Sequence, residues 1–296
     1  MPRLISLIAV FLLLATTYLR ADERILSFES DIEVQTDGAF LVTETILVRA
    51  EGQQIRRGIF RDFPTVFEGA DGRERKVGFE LISVTRNGQA ENAVVEGGGR
   101  ALRIRIGNAD VFLNSGEHRY EITYRTDRQL RRFETHDEIF WKVTGTEWVF
   151  PIDRASAVVS LPEGAVIEDT VYFTGPFGAP EKNARRSVAG NGRVAAFETT
   201  SPLGRREGLT VGVKFNKGII AEPDSTQQLG WLIKDYLAEL IAFGGLALVF
   251  LYYLWAWMRV GRDPAKYTVV PRWDLPGDVS PALSHYIHNK GLKKQG

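Results

Sequence analysis

A chain of 296 residues is long enough for one large or two modest domains, each with its own core. Its 44% hydrophobic and 25% charged content is that of an ordinary globular protein, and a formal net charge of zero offers no basic field for nucleic acid. There is no cysteine, which excludes disulfides, thiolate metal sites and a cysteine nucleophile.

The first apolar stretch runs from Leu4 to Ala15, after Arg3 and ahead of Thr16, Thr17 and Ala21. A positive start, a short apolar run and small residues beyond it predict a signal peptide over residues 1–21, cleaved after Ala21. The run is too short to cross a hydrocarbon core of ~30 Å, which takes roughly 20 residues.

From about Glu23 to Gly218 the dominant period is two. Phe28, Ser30, Ile32 and Val34 share one face, Thr36, Asp37 and Gly38 turn the chain, and Phe40, Val42, Ile46 and Val48 return. An Asp-Gly pair between alternating runs signals a hairpin because it accepts the positive φ of a tight turn. Phe79 to Thr85, Asn87-Gly88 and Ala93 to Val95 repeat that pattern. Leu102, Ile104 and Ile106 alternate with Arg103 and Arg105, and Tyr120, Ile122 and Tyr124 with Glu121, Thr123 and Arg125. Further strands are expected over 138–143, 155–161, 170–173, 193–198 and 209–215, around eleven in all. The expected fold class is therefore mainly β, an extracytoplasmic β-sandwich over residues 22–222. Because eleven strands are many for one small sandwich, two β units divided near Leu161-Pro162-Glu163-Gly164 are the alternative.

At Asp224 the period changes to that of a helix. Leu229, Leu232, Ile233, Tyr236, Leu237 and Leu240 form an apolar stripe, with Asp224 or Ser225 as N-cap. This helix is expected to continue unbroken into the uncharged run from Leu240 to Met258, just long enough to span a bilayer at ~1.5 Å per residue. Tyr252, Tyr253, Trp255 and Trp257 crowd its C-terminal end, the level of the headgroups, and Gly244 and Gly245 are common in membrane helices. From Arg259 onward seven cations (Arg259, Arg262, Lys266, Arg272, Lys290, Lys293 and Lys294) face three Asp, whereas Lys234 is accompanied by Asp224, Asp235 and Glu239. Positive flanks stay cytoplasmic. The expected organisation is a domain outside, a juxtamembrane and single transmembrane helix over 223–258, and a short cytoplasmic tail over 259–296, in an inner or plasma membrane. The lipid bilayer is then a partner by construction.

Two strings could carry chemistry. In Arg56-Arg57-Gly58-Ile59-Phe60-Arg61-Asp62-Phe63-Pro64, the three arginines near a glycine could grip a phosphate or carboxylate by forked hydrogen bonds, which makes Arg57, Arg61 and the adjoining Asp62 candidate binding residues. The plainer reading is a loop in which Arg61 and Asp62 pair with neighbours while Ile59, Phe60 and Phe63 plug the core. Glu134, His136, Asp137, Glu138, Trp141, Glu147, Trp148 and Asp153 form the second cluster. Carboxylates beside Trp141 and Trp148 resemble a sugar groove in which two carboxylates share acid and base roles, although tryptophans in strands are more often core. His285-x-x-His288 lacks the surrounding pattern of a zinc helix, and there is neither a Walker loop nor a nucleophile elbow. No catalytic residue, metal site or cofactor is thereby indicated.

The strings "RRGIFRDFPT" from Arg56, "LRIRIGNADVFLNSGEHRYEITYRTD" from Leu102, "DEIFWKVTGTEWVFPI" from Asp137 and "VVSLPEGA" from Val158 resemble the YciQ-like bacterial membrane proteins of Domain of Unknown Function 2207, and "LTVGVKFNKGI" and "GRDP" extend the match. The resemblance implies an extracytoplasmic N-terminal domain anchored by a membrane helix, and brings no catalytic residue or cofactor with it. It also implies further hydrophobic segments beyond the first membrane helix, so that a chain ending at Gly296 would be a shortened version or an incomplete product. The function expected is a binding or interaction module for envelope proteins or polymers. The alternatives are a carbohydrate hydrolase of the envelope using carboxylates near Trp141 and Trp148, and a membrane signalling or scaffold component.

Overall fold

The computed structural model describes residues 22–72, 74–261 and 280–289. The expected signal peptide and most of the expected tail lie outside these residues. Within them the chain is mainly β. The strands are β1 (Arg24–Val34), β2 (Phe40–Ala50), β3 (Gly58–Pro64), β4 (Val66–Glu68), β5 (Glu74–Lys76), β6 (Gly78–Arg86), β7 (Gln89–Ala90), β8 (Ala93–Gly98) and β9 (Ala101–Gly107). There follow β10 (Gly116–Asp127), β11 (Leu130–Arg132), β12 (His136–Lys142), β13 (Ala155–Ser160), β14 (Ile167–Gly175), β15 (Ala184–Ala189), β16 (Val194–Thr199) and β17 (Gly208–Asn216).

Eight of these make one sheet in the order β15-β16-β13-β1-β2-β10-β6-β7. A four-stranded sheet, β11-β12-β17-β14, and a three-stranded sheet, β3-β9-β8, supply the other large surfaces, and β4 pairs with β5. All pairings are antiparallel except that of β1 with β13. The first hairpin has the expected faces, with Phe28, Ser30, Ile32 and Val34 buried and Ile32 opposite Val42. Core side chains collect where the three sheets meet. The Phe63 ring of β3 lies 5.4 Å from Tyr124 of β10, 4.8 Å from Phe79 of β6 and 6.2 Å from Trp141 of β12, centroid to centroid.

Three expectations are corrected. Asn87-Gly88 does close a hairpin, with both residues at positive φ, but it joins β6 to the two-residue β7, while 93–95 belongs to β8 and pairs with β9 in a different sheet. No division falls near Leu161–Gly164: β13 before it pairs with β16 after it, and with β1, inside one sheet. Gly58–Pro64, a loop in the plainer reading of the sequence, is a strand running antiparallel to β9. There a Cβ on Gly58, at φ +143, would lie 1.8 Å from the Ile106 carbonyl oxygen, so only glycine permits the approach.

Three helices complete the described chain: α1 (Ser225–Asp235), α2 (Leu237–Val260) and α3 (Pro281–His288). Asp224 caps α1, its Oδ1 accepting the Gln227 N–H at 2.7 Å. The expected unbroken helix is interrupted at Tyr236, whose φ of −113° and ψ of 19° are not helical. The break also separates two compact units, one ending at Asp235 and the other starting at Tyr236. α2 has 24 residues and a mean hydropathy of 2.0 over its most apolar window, with none of that window buried, so it is long and apolar enough to cross a membrane.

Candidate functional site

Glu44 and Arg61 stand at inward positions of β2 and β3, and each would be costly to bury alone. Buried together they satisfy each other. Arg61 Nε donates to Glu44 Oε2 and Nη2 to Oε1, both at 2.7 Å, and Tyr124 Oη donates to Oε1 at 2.8 Å. The remaining guanidinium protons go to backbone carbonyls, those of Asp62 and Thr144 from Nη1 and that of Val143 from Nη2. Burial works against the charged guanidinium, but Glu44 more than offsets it and the Arg61 pKa is raised. The phenol of Tyr124 is also pushed up, by burial first and then by Glu44.

Arg61 thus has no proton left for a ligand, and the structure does not bring it together with Arg57. Arg57 is exposed, its guanidinium carbon 4.4 Å from the centre of the Phe112 ring. Asp62 makes a forked ion pair with Arg103 at 2.6 and 2.8 Å, and Arg103 lies over the exposed Phe60, which was expected inside. Trp141 and Trp148 are both buried. Trp148 packs edge-on against Phe28 and donates from Nε1 to the Thr144 carbonyl at 2.9 Å. Neither ring has an open face for a sugar.

The carboxylates of that cluster also diverge. Asp137 and Glu138 alternate across β12, so Asp137 is buried while Glu138 lies 3.8 Å from Arg131 on the outer side. Glu147 is exposed near Arg206, and Asp153 pairs with Arg24 at 3.0 Å. Among the described residues no three of His, Asp and Glu converge as a metal ligand set. His285 of α3 is 3.0 Å from the Asn289 side-chain amide.

A more open site lies on the outer face of the four-stranded sheet. Phe140 and Lys142 of β12 project there, and one row runs Lys142, Thr210, Phe173 across β12, β17 and β14. After β14 the segment Gly175-Pro176-Phe177-Gly178-Ala179-Pro180 folds into a tight turn, with the Ala179 N–H on the Pro176 carbonyl at 3.0 Å and Gly178 at φ +83. Pro176-Phe177-Gly178-Ala179 has the positive φ at its third position that defines a type II turn and calls for glycine. Thr174 anchors the base: its N–H donates to the Glu181 carbonyl at 2.9 Å, and its Oγ1 accepts the Asn183 N–H at 3.0 Å. Phe177 is held at the tip with 81% of its surface exposed, and the Lys142 ammonium sits 4.9 Å from its ring centre.

Beneath this turn is a cavity of about 360 Å³. Phe140, Phe173, Pro176, Phe177 and Pro180 line it, with Lys142 and the backbone of Gly145 and Gly208. Two adjoining cavities, of about 480 and 240 Å³, also include Lys142 and reach toward Arg103 and Glu147 on one side and Phe67 and Arg131 on the other. Lys142 is the residue common to all three. A larger cavity of about 580 Å³, lined by Arg75, Arg125, Arg128 and Arg132, spends its cations internally. Arg125 pairs with Asp37, Arg128 with Asp235, and Arg132 donates to the Ile220 and Ala221 carbonyls. Sequence reasoning passed over Lys142 and Phe177. The available signal was the aromatic residue set between two Gly-Pro and Gly-Ala-Pro steps, a turn that cannot bury it.

A mainly β unit followed by one apolar helix of spanning length defines a class of protein, a globular domain with a candidate membrane tether. The comparison with known proteins agrees with that class and narrows it: the family described as "Predicted membrane protein (DUF2207) N-terminal domain" matches residues 24–215, and this chain belongs to it. "Uncharacterized protein YciQ" of Escherichia coli (strain K12) is 27% identical over 265 residues, covering 86% of this chain and 41% of the relative. The chain therefore spans about two fifths of the curated relative it matches. Among solved structures, yeast LTA4 hydrolase aligns at 12% identity and a TM-score of 0.42, over 65% of this chain and 28% of that one. The M1 zinc metallopeptidase from Deinococcus radiodurans aligns at 14% identity and a TM-score of 0.37, over 65% of this chain and 43% of that one.

Proposed function

We propose that this chain is a membrane-tethered binding module whose β-sandwich stands outside the cytoplasm and receives a ligand in the groove around Lys142. The observation that carries the reading is Phe177. A phenylalanine 81% exposed forgoes the ~1.5–3 kcal/mol its burial would contribute, yet a hydrogen-bonded turn holds it rigidly over a cavity. Large exposed apolar groups beside a preformed concavity mark interaction sites. The sandwich arrangement is supported by ring contacts between sheets, such as Phe40 of β2 with Trp141 of β12 at 5.8 Å. The lipid bilayer is the second partner, through α2. A hydrolase reading has no such support, since Trp141 and Trp148 are core residues and the nearby carboxylates diverge.

The absence of cysteine makes the test simple. Thr146 lines two of the three cavities, whereas Ser187 lies exposed on β15. Single variants Thr146→Cys and Ser187→Cys are labelled with a maleimide in the presence and absence of soluble envelope extract. The expected result is slower labelling at position 146 alone. Equal rates with every extract fraction would mean that the groove binds nothing from the envelope.

A further inference from the structure

We infer that the cavity beneath Phe177 takes a small apolar monocarboxylate, with Lys142 as its counter-ion. This rests on the groove reading above and adds the chemical class of the ligand.

Charge is the first ground. Lys142 is the only charged residue lining this cavity, and among the described residues no carboxylate pairs with it. Its contact with the Phe177 ring, at 4.9 Å, keeps the ammonium at the mouth without neutralising it. Just outside the lining, the Lys182 ammonium stands 5.9 Å from the Phe173 ring centre and the Glu181 carboxylate lies against Gly175, one charge of each sign, so Lys142 is the cation left to select one anionic group. A dicarboxylate would strand its second charge among Phe140, Phe173 and the two prolines, where desolvation is costly. An amine would be repelled, and a neutral ligand would leave the ammonium paired only with water.

Shape is the second ground. About 360 Å³ falls at the small end of ligand cavities, whose usual range is ~300–1,000 Å³. It has room for a ring and a short tail. The flat faces of Phe140, Phe173 and Phe177 suit a ring or short aliphatic group, and Thr210, between Lys142 and Phe173 in their row, adds a hydroxyl to the wall. A Cβ on Gly208 would come within 2.5 Å of the Gly145 carbonyl oxygen, so the start of β17 and the turn after β12 close on each other beside the cavity. Rigidity of the Pro176–Ala179 turn means that little order need be imposed on binding.

The probes are 4-phenylbutyrate, 4-phenylbutanol and 4-phenylbutylamine, which share a ring and chain and differ in the end group. Binding to the full chain in lipid nanodiscs is followed by ligand-observed NMR, with protein-free nanodiscs as the partition blank. The acid is expected to bind about tenfold more tightly than the alcohol, the difference that one charge-assisted contact supplies, and the amine least. Lys142→Ala should bring acid and alcohol together, Lys142→Arg should restore the preference, and Lys142→Glu should favour the amine. Phe177→Ala should weaken acid and alcohol alike. Since Lys142 is exposed, these variants should melt with the parent chain. Equal binding of acid and alcohol, unchanged by Lys142→Ala, overturns the carboxylate assignment and leaves the groove reading standing. If none of the three probes binds, the assignment falls, and the groove reading is then decided separately by whether envelope extract protects the cysteine at position 146.

Discussion

Glu44 interrupts the run Phe40, Val42, Ile46, Val48 at an inward position, and Arg61 does the same between Ile59 and Phe63. Neither charge could be buried without the other, and the forked pair between them fixes how β3 lies against the eight-stranded sheet. Removing one partner strands the other, so Glu44→Gln is expected to cost about 3–5 kcal/mol in denaturant unfolding. A Glu44→Leu, Arg61→Met double variant should recover most of that loss, because apolar replacements also remove the desolvation penalty. If the double variant is as unstable as the single one, the pair does more than satisfy itself. This pair was legible in principle as two opposite charges, each breaking an apolar alternation, but nothing local says that two such breaks face each other. Asp137 is a different case. It is fully buried, neither carboxylate oxygen has a donor, and Arg132 comes no nearer than 3.9 Å. Burial raises its pKa, and Arg132 and Lys217 only partly oppose the shift. For an acid with a raised folded pKa, the stability penalty is absent below the unfolded value of about 3.9 and complete above the folded one. Asp137→Asn should therefore raise the Tm at pH 7, with the gain shrinking as the pH falls toward about 4; an equal gain at both ends would remove Asp137 charge as the cause.

At the scale of elements, α1 shows how a pattern can be recognised and its role misassigned. The helix forms where the apolar spacing and Asp224 predict, yet Leu229, Leu232 and Ile233 of the stripe are exposed. What fastens it to the β unit is Arg128. This residue sits at φ +61, an uncommon backbone for a side chain with a Cβ, between β10 and β11. Its guanidinium forks onto Asp235 at 2.9 and 2.6 Å and lies 5.0 Å from the Trp231 ring centre. Trp231 and Asp235 are one helical turn apart and share a face. Arg128→Ala is expected to speed amide hydrogen exchange across 225–235 by about ten- to a hundredfold, equivalent to ~1.5–3 kcal/mol for a charged hydrogen-bonded contact. Leu232→Ala should leave exchange there unchanged. Strands with strict alternation, such as β9 and β10, were visible in the sequence because one face of each is buried. β15 escaped notice because its residues are nearly all exposed at a sheet edge, and β3 because its inward Arg61 hides the period. The site around Lys142 was illegible for another reason: it is assembled by the register of β12, β17 and β14, which no single segment encodes.

At the scale of the whole molecule, the charges that flank α2 bear on which side of a membrane the β unit occupies. α2 carries Glu239 in its first turn and Arg259 in its last, and six more cations follow Arg259 in the chain. On the other flank, Asp224, Asp235 and Glu239 accompany Lys234. Cations near a span are retained on the cytoplasmic side because translocating them against the membrane potential is unfavourable, and acidic residues contribute little to that choice. The aromatic cluster Tyr252, Tyr253, Trp255 and Trp257 would then lie at the inner headgroup level, with Arg259 over the Trp255 ring at 5.4 Å. Alkaline phosphatase, which folds only outside the cytoplasm, discriminates the two orientations. Fused after Gly218, ahead of α1 and α2, it should be active; fused after Gly296, beyond the cationic flank, it should be inactive. Replacing Arg259 and Arg262 by glutamate should raise the activity of the second fusion, since it weakens the charge bias that holds that flank inside. The reverse pattern, silent after Gly218 and active after Gly296, would put the groove in the cytoplasm and with it the search for its carboxylate ligand.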